Sequence, residues 1–160
     1  MLALTQGMMS LAPAGGGGVS ARRWRFLATL LDGAGSAFSC AELGMRSVAG
    51  GPSIAVGGTA SANSVFGSLV PAQAFDGNPS TIWGGASGSS VPAWLAYDFG
   101  SPVSIVEVAY TGRPDGLFGQ YPRDFSIQHS DDDGASWTTL WSVSGQSWTV
   151  AGETRVFTRP

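Results

Sequence analysis

The chain has 160 residues, enough for one domain with a real core. Charged residues are scarce at 12% and the net charge is −3, which gives no electrostatic footprint for a nucleic-acid partner. The 24 glycines, set among abundant Ser, Thr and Ala, suit a β-rich fold with many turns and argue against a helical one.

Residues 1–20 stand apart from the rest. Their opening is mildly apolar without a basic stretch ahead of it, so it reads as a poor signal peptide. A protein that leaves the cell without such a signal does so by lysis or as part of a particle. No apolar stretch is long enough to span a membrane, so no membrane insertion is expected. Residues 15–18 are four glycines with no GK[ST] after them, a hinge rather than a phosphate loop. Residues 1–20 are therefore read as a flexible tail, either disordered or a docking peptide for a partner. Residues 21–160 are read as one domain.

From Arg22 the pattern is β. Trp24, Phe26 and Ala28 alternate with Arg23, Arg25 and Leu27, and Asp32-Gly33 marks a turn. Residues 38–43 resume an extended pattern that holds the single cysteine, Cys40. One cysteine excludes an intramolecular disulfide framework and a CxxC metal site, and points to a small buried side chain. Residues 48–68 read as loop with one short strand.

Next comes a tight turn built by Asp76-Gly77 and Asn78-Pro79, with Asp76, Asn78 and Thr81 offering side-chain oxygens between the apolar anchors Phe75 and Trp83. Such a turn gathers hard oxygen ligands around a cation or only satisfies its own backbone. Beyond it, residues 94–99 alternate and stop at Gly100. Residues 103–110 are apolar on both faces and predict a central, buried strand. Phe125, Ile127 and His129 alternate with Ser126 and Gln128, Asp131-Asp132-Asp133-Gly134 is a turn, and residues 137–143 and 154–157 complete the strands. No segment carries a helical period. Short strands at regular spacing predict an antiparallel sandwich or barrel.

Three motifs in order give a resemblance. Ala74-Phe75-Asp76-Gly77-Asn78 through Thr81 and Trp83 resembles an AxDGN…TxW signature. Trp94-Leu95-Ala96-Tyr97-Asp98-Phe99-Gly100 resembles a WLxxDLG strand. Pro122-Arg123-Asp124-Phe125-Ser126-Ile127 with Ser130-Asp131-Asp132-Asp133-Gly134 and Trp137 resembles a P-x-x-F-x-I…S-x-D-G…W hairpin. Together they resemble the discoidin, or coagulation-factor type C, family of galactose-binding-like domains, and within it the carbohydrate-binding modules. The resemblance implies an all-β, antiparallel, jelly-roll-like β-sandwich.

The ends depart from the family pattern. Its closing strands, of RYWRL and IAELEF type, do not follow residue 137, but Arg23-Trp24-Arg25-Phe26-Leu27 and Cys40-Ala41-Glu42-Leu43 resemble them at the front. The expectation is a circular permutation in which residues 22–46 supply the closing strands, the alternative being that these strands come from a neighbouring subunit or are missing. The resemblance further implies a structural calcium held by side-chain oxygens of Asp76, Thr81 and Glu42 and by carbonyls near Ala74, Asn78 and Ala41. It also implies core places for Trp83, Trp94, Phe99, Phe125 and Trp137.

Function is expected on loops. Loop 111–121 carries Arg113, Asp115, Phe118, Gln120 and Tyr121, and loop 62–69 adds Asn63 and Phe66; Trp148 is a further exposed candidate. Arg113 and Asp115 would hydrogen-bond sugar hydroxyls while Phe118 or Tyr121 stacks. Equally, these aromatics pin their own loops or contact another protein. His129, the only histidine, has no nucleophile or paired acid spaced to work with it and reads as a packed strand residue. No GxSxG or HExxH motif is present. The leading reading is non-catalytic binding of a cell-surface glycan, strengthened by oligomeric or multivalent display. By analogy with phage tail and virion components, the setting is a virion or the extracellular space, for host attachment, with the N-terminal tail on other virion proteins. The second reading is a structural or adaptor protein of a virion.

Overall fold

A computed structural model describes residues 18–88 and 91–160. The tail expected over residues 1–20 lies outside the described residues except for its last three, of which Val19 packs against the core.

Ten strands follow in chain order: β1 Ala21–Leu31, β2 Ser39–Cys40, β3 Glu42–Arg46, β4 Thr59–Ala62, β5 Trp83–Gly84, β6 Ala93–Val103, β7 Glu107–Thr111, β8 Pro122–Ser130, β9 Thr138–Val143 and β10 Thr154–Thr158. Among the described residues the helical ones are two short 3₁₀ turns, Pro71–Phe75 and Phe118–Gln120. Every strand pairing is antiparallel. One sheet has the order β4-β6-β1-β8-β9, a second β10-β7-β3, and β2 pairs with β5. This is the antiparallel β-sandwich that the sequence pattern predicts.

The front of the chain closes both sheets within the same molecule. β1 lies between β6 and β8, pairing Phe26 with Leu95 on one side and with Ile127 on the other. β3 pairs with β7, setting Leu43 opposite Tyr110. The alternation in β1 sets its orientation: Trp24, Phe26 and Ala28 are fully buried, while Arg23, Arg25 and Leu27 face the other way. Phe26 forms the centre of the core. Its ring stacks on Phe125 at 4.3 Å, on Phe38 at 5.6 Å and, across the sandwich, on Tyr110 at 5.9 Å.

The remaining strands depart in detail from the sequence expectation. β6 does not stop at Gly100. That glycine takes a positive φ of 75° and its amide is held by Asp98 Oδ1 at 2.8 Å, so the strand runs on to Val103. The apolar run 103–110 is accordingly divided, with Val103 ending β6 and β7 beginning at Glu107. β7 is buried at all five residues, as a central strand should be. Cys40 is fully buried, and burial pushes its thiol pKa up. His129 is buried with its ring 5.6 Å from Trp24 and Nδ1 3.4 Å from Asp131. Trp83, Phe125 and Trp24 are core residues as expected, and Phe99 and Phe75 pack at its margin against Tyr97. Trp94 and Trp137 are not: both are half-buried on the outer face of the five-stranded sheet.

One buried carboxylate braces the three-stranded sheet. Glu107 Oε1 accepts from Arg46 at 2.6 Å and from the Gly50 amide at 3.0 Å, and Oε2 accepts from Thr158 at 2.9 Å. The Arg46 hydrogen bond, followed by those of Gly50 and Thr158, holds its pKa below the ordinary 4.5. Removing one partner of a buried pair costs about 3 kcal/mol at the low end, so Glu107→Gln should lower the urea-unfolding free energy at neutral pH by about that amount. The depressed pKa means the stabilisation is complete above 4.5 and is lost as pH falls below it. The gap between wild type and variant should therefore narrow at about pH 3; a gap unchanged with pH would contradict this role.

Candidate functional site

Three loops meet at one end of the sandwich. Loop 62–69 is held by backbone bonds from Phe66 N to Gly84 O at 2.8 Å and from Gly84 N to Leu69 O at 3.3 Å. β5 is in turn fixed by Gly85 N on Phe38 O at 2.9 Å and by Trp83 Nε1 on Ser64 O at 3.2 Å. The loop after β1 meets loop 111–121 backbone to backbone. A Cβ on Gly35 would lie 1.6 Å from Gly119 O, so only glycine permits that approach. Between these loops is a pocket of about 260 Å³, lined by Phe66, Leu69, Gly84, Arg113, Leu117 and Gln120 among others.

Arg113 is positioned by its own loop. Its Nε donates to Asp115 Oδ1 at 2.9 Å, one terminal nitrogen to Asp115 Oδ2 at 2.5 Å and the other to Gln120 Oε1 at 2.8 Å. Asp115 therefore orients the guanidinium, which holds the Asp115 carboxyl below the usual carboxylate range. An arginine has five donors, so two N–H groups remain for a ligand. Phe66, 55% exposed, and Leu117, 48% exposed, line the same pocket. Apolar surface beside a fixed polar group is the usual composition of a small-molecule site.

The structure thus brings Phe66 and Arg113 together and corrects several other expectations. Tyr121 is fully buried; a Cβ on Gly112 would meet its ring at 2.2 Å, so that glycine makes its slot, and its hydroxyl donates to Arg113 O. Phe118 is half-buried edge-on to Tyr121 at 5.4 Å and pins its loop. Trp148 is not exposed. It is buried under the Arg155 guanidinium at 4.1 Å, its indole donates to Pro122 O at 2.8 Å, and its amide donates to Asp32 at 2.6 Å. Asn63 lies outside the pocket and its Oδ1 accepts from the Trp94 amide at 2.9 Å, extending the strand pairing. Leu117 and Gln120 line the pocket instead. Leu117 carried a legible signal, an apolar residue after Asp-Gly in a polar loop.

The Asp76 turn forms a separate corner. Asp76 accepts from the Asn78 amide and the Thr81 hydroxyl, both at 2.8 Å, and Gly77 takes a positive φ of 74°. Burial raises the Asp76 pKa, but these hydrogen bonds outweigh it and hold the carboxyl below the usual range. Glu42 at the start of β3 faces it. Burial, and then the neighbouring Asp76, push the Glu42 pKa up to about 7. Its Oε1 is buried with no hydrogen-bond partner. An orphaned buried carboxylate oxygen beside a second carboxylate is an arrangement that a hard cation relieves. Among the described residues no three His, Cys, Asp or Glu side chains cluster, so carbonyl and hydroxyl oxygens of Ala74, Asn78 and Thr81 would have to supply the rest of the shell. The donor set fits calcium.

The class is that of antiparallel β-sandwiches with a pocket among the loops at one end. The family model of the F5/8 type C domain matches residues 58–160, and the chain belongs to that family. Its domains have a carbohydrate- or ligand-binding fold and are generally non-catalytic. No curated protein and no solved structure compared with the chain matches it. The matched span begins just before β4 and leaves β1, β2 and β3 outside it, although β1 and β3 complete the two larger sheets and β2 pairs with β5.

Proposed function

We propose that this protein is a non-catalytic glycan-binding domain whose site is the loop-end pocket. One observation carries the reading: the exposed apolar side chains of Phe66 and Leu117 line the same small depression as the oriented guanidinium of Arg113 and the amide of Gln120. A pyranose has one C–H face for the apolar wall and hydroxyls for the polar one. At about 260 Å³ the pocket suits one sugar unit held weakly. The reading therefore includes multivalent display on the outside of a cell or virion, where several copies add their affinities.

A second reading draws on the same exposed Phe66 and Leu117: an adaptor whose loops contact another protein. A glycan array of the multimerised domain separates the two. On the first reading Phe66→Ala and Arg113→Ala each reduce glycan binding about tenfold or more. Absence of binding to every glycan, with the same substitutions disrupting capture of a protein partner, supports the adaptor.

The reading also includes a structural calcium at the corner of Glu42, Asp76 and Thr81. When bound, the cation would neutralise two facing carboxylates. A ligand at a hundred times its Kd stabilises by about 2.7 kcal/mol, so saturating calcium should raise the melting temperature by about 5–10 °C over a chelator. Glu42→Gln should remove most of that rise. Identical melting curves with calcium and with chelator would exclude the site.

A further inference from the structure

The outer face of the five-stranded sheet holds a second depression, remote from the loop end and sharing no residue with it. Along β6, Leu95 and Tyr97 enter the core while Trp94, Ala96 and Asp98 face outward. Register places Ser61 and Arg25 on either side of Ala96, and Thr59 and Arg23 on either side of Asp98. Ala96 is the small residue in this arrangement. Its methyl floors a groove of about 330 Å³ whose sides are Trp94 and Trp137.

The groove is preformed. The Arg25 guanidinium lies 4.3 Å from the Trp137 ring and 5.9 Å from that of Trp94, a spacer that keeps the indoles from collapsing together. Its Nε donates to Gln128 Oε1 at 2.7 Å, and Gln128 Nε2 donates to Thr139 Oγ1 at 2.8 Å, so the spacer is itself fixed across the sheet. A ligand entering such a groove avoids the cost of ordering its walls.

Indole surface and free hydroxyls select the ligand class. At the far end Arg22 and Arg23 pair with Asp98 and Asp133, two guanidinium groups against two carboxylates. These charges satisfy one another, while the Arg25 guanidinium, bonded to the neutral Gln128, adds one positive charge beside the indoles. Two indole surfaces and the exposed hydroxyls of Thr59 and Ser61 remain, and neither hydroxyl has a hydrogen-bond partner among the described residues. Apolar faces beside unused hydroxyls complement a polyhydroxylated ring. The volume lies at the lower end of the roughly 300–1,000 Å³ of small-molecule sites.

We infer that this groove is a second saccharide site, taking one pyranose unit over Ala96 against the Trp94 and Trp137 rings, with Thr59 and Ser61 meeting its hydroxyls. The domain then holds a glycan at two places on its surface, and this site stands whether or not the loop-end pocket binds sugar.

The test follows the indole N–H resonances of Trp94 and Trp137 by NMR while galactose, N-acetylglucosamine or lactose is titrated into the full chain. Both indoles should shift saturably with at least one of these sugars. Ala96→Leu, which fills the floor, should weaken that binding about tenfold or more. A Thr59→Val, Ser61→Val double variant, which leaves the floor and walls intact, should weaken it severalfold and covers the case in which Ala96→Leu unfolds. Phe66→Ala should leave it unchanged. Indoles unmoved by all three sugars, or binding that survives both groove variants, would overturn the inference. Shifts confined to the Phe66 loop would overturn it while sparing the proposed function. Indole shifts that depend on protein concentration without sugar would assign the groove to a second copy and overturn it too.

Discussion

Strand β1 is hydrogen-bonded along both of its edges, to β6 on one side and β8 on the other, and the rest of the molecule depends on that insertion. A sheet lacking its middle strand would leave two rows of unpaired backbone groups facing each other and a gap where Trp24 and Phe26 now sit. Burying an aromatic side chain of that size contributes about 1.5–3 kcal/mol by transfer alone. Phe26 adds contacts to Phe38, Phe125 and Tyr110, which come from three different parts of the chain. β1 is thus the strand that joins β6 to β8 and gathers these rings around it.

The same packing reaches the loop end. From Phe26 the aromatic contacts continue through Tyr110 to Tyr121 and Trp148, and from Tyr121 to Phe118 at the base of loop 111–121. The loop that carries Arg113 is therefore anchored in the core. Arg113 receives its orientation from Asp115 and Gln120 within the loop and its position from the Tyr121 ring below. A binding residue on a loop is useful only if a rigid scaffold fixes it, and here the scaffold is continuous from the centre of β1.

Much of this was legible where period-two alternation had one clear apolar face. β1 is such a case, as are β8 and the turn at Asp76, whose Asp-Gly and Asn-Pro pairs dictate its shape. Trp94 was legible too, and the family pattern misled. Leu95, Tyr97 and Phe99 form the apolar set of that strand, so Trp94 shares a face with Ala96 and Asp98 and belongs outside. Trp148 carried no local signal. Its burial comes from Asp32, Pro122 and Arg155, partners separated from one another in sequence, and the lone Ser-Trp-Thr around it has no period to read. The pocket was half visible. Phe66 and Arg113 followed from loop composition, whereas the place of Gln120 in the pocket lining depends on the 3₁₀ turn Phe118–Gln120, which has no period to read.

The central claim is that residues 18–46 supply the strands that close an F5/8 type C sandwich spanning the rest of the chain. Connectivity can be altered to test it. A variant in which residues 18–46 are moved, through a flexible linker, to follow residue 160 keeps every strand and changes only their order. The account predicts that this rearranged chain unfolds cooperatively, with the near-ultraviolet circular dichroism of the original, and that residues 58–160 alone do neither. A stable, cooperatively folded fragment 58–160 with the same aromatic spectrum would contradict it.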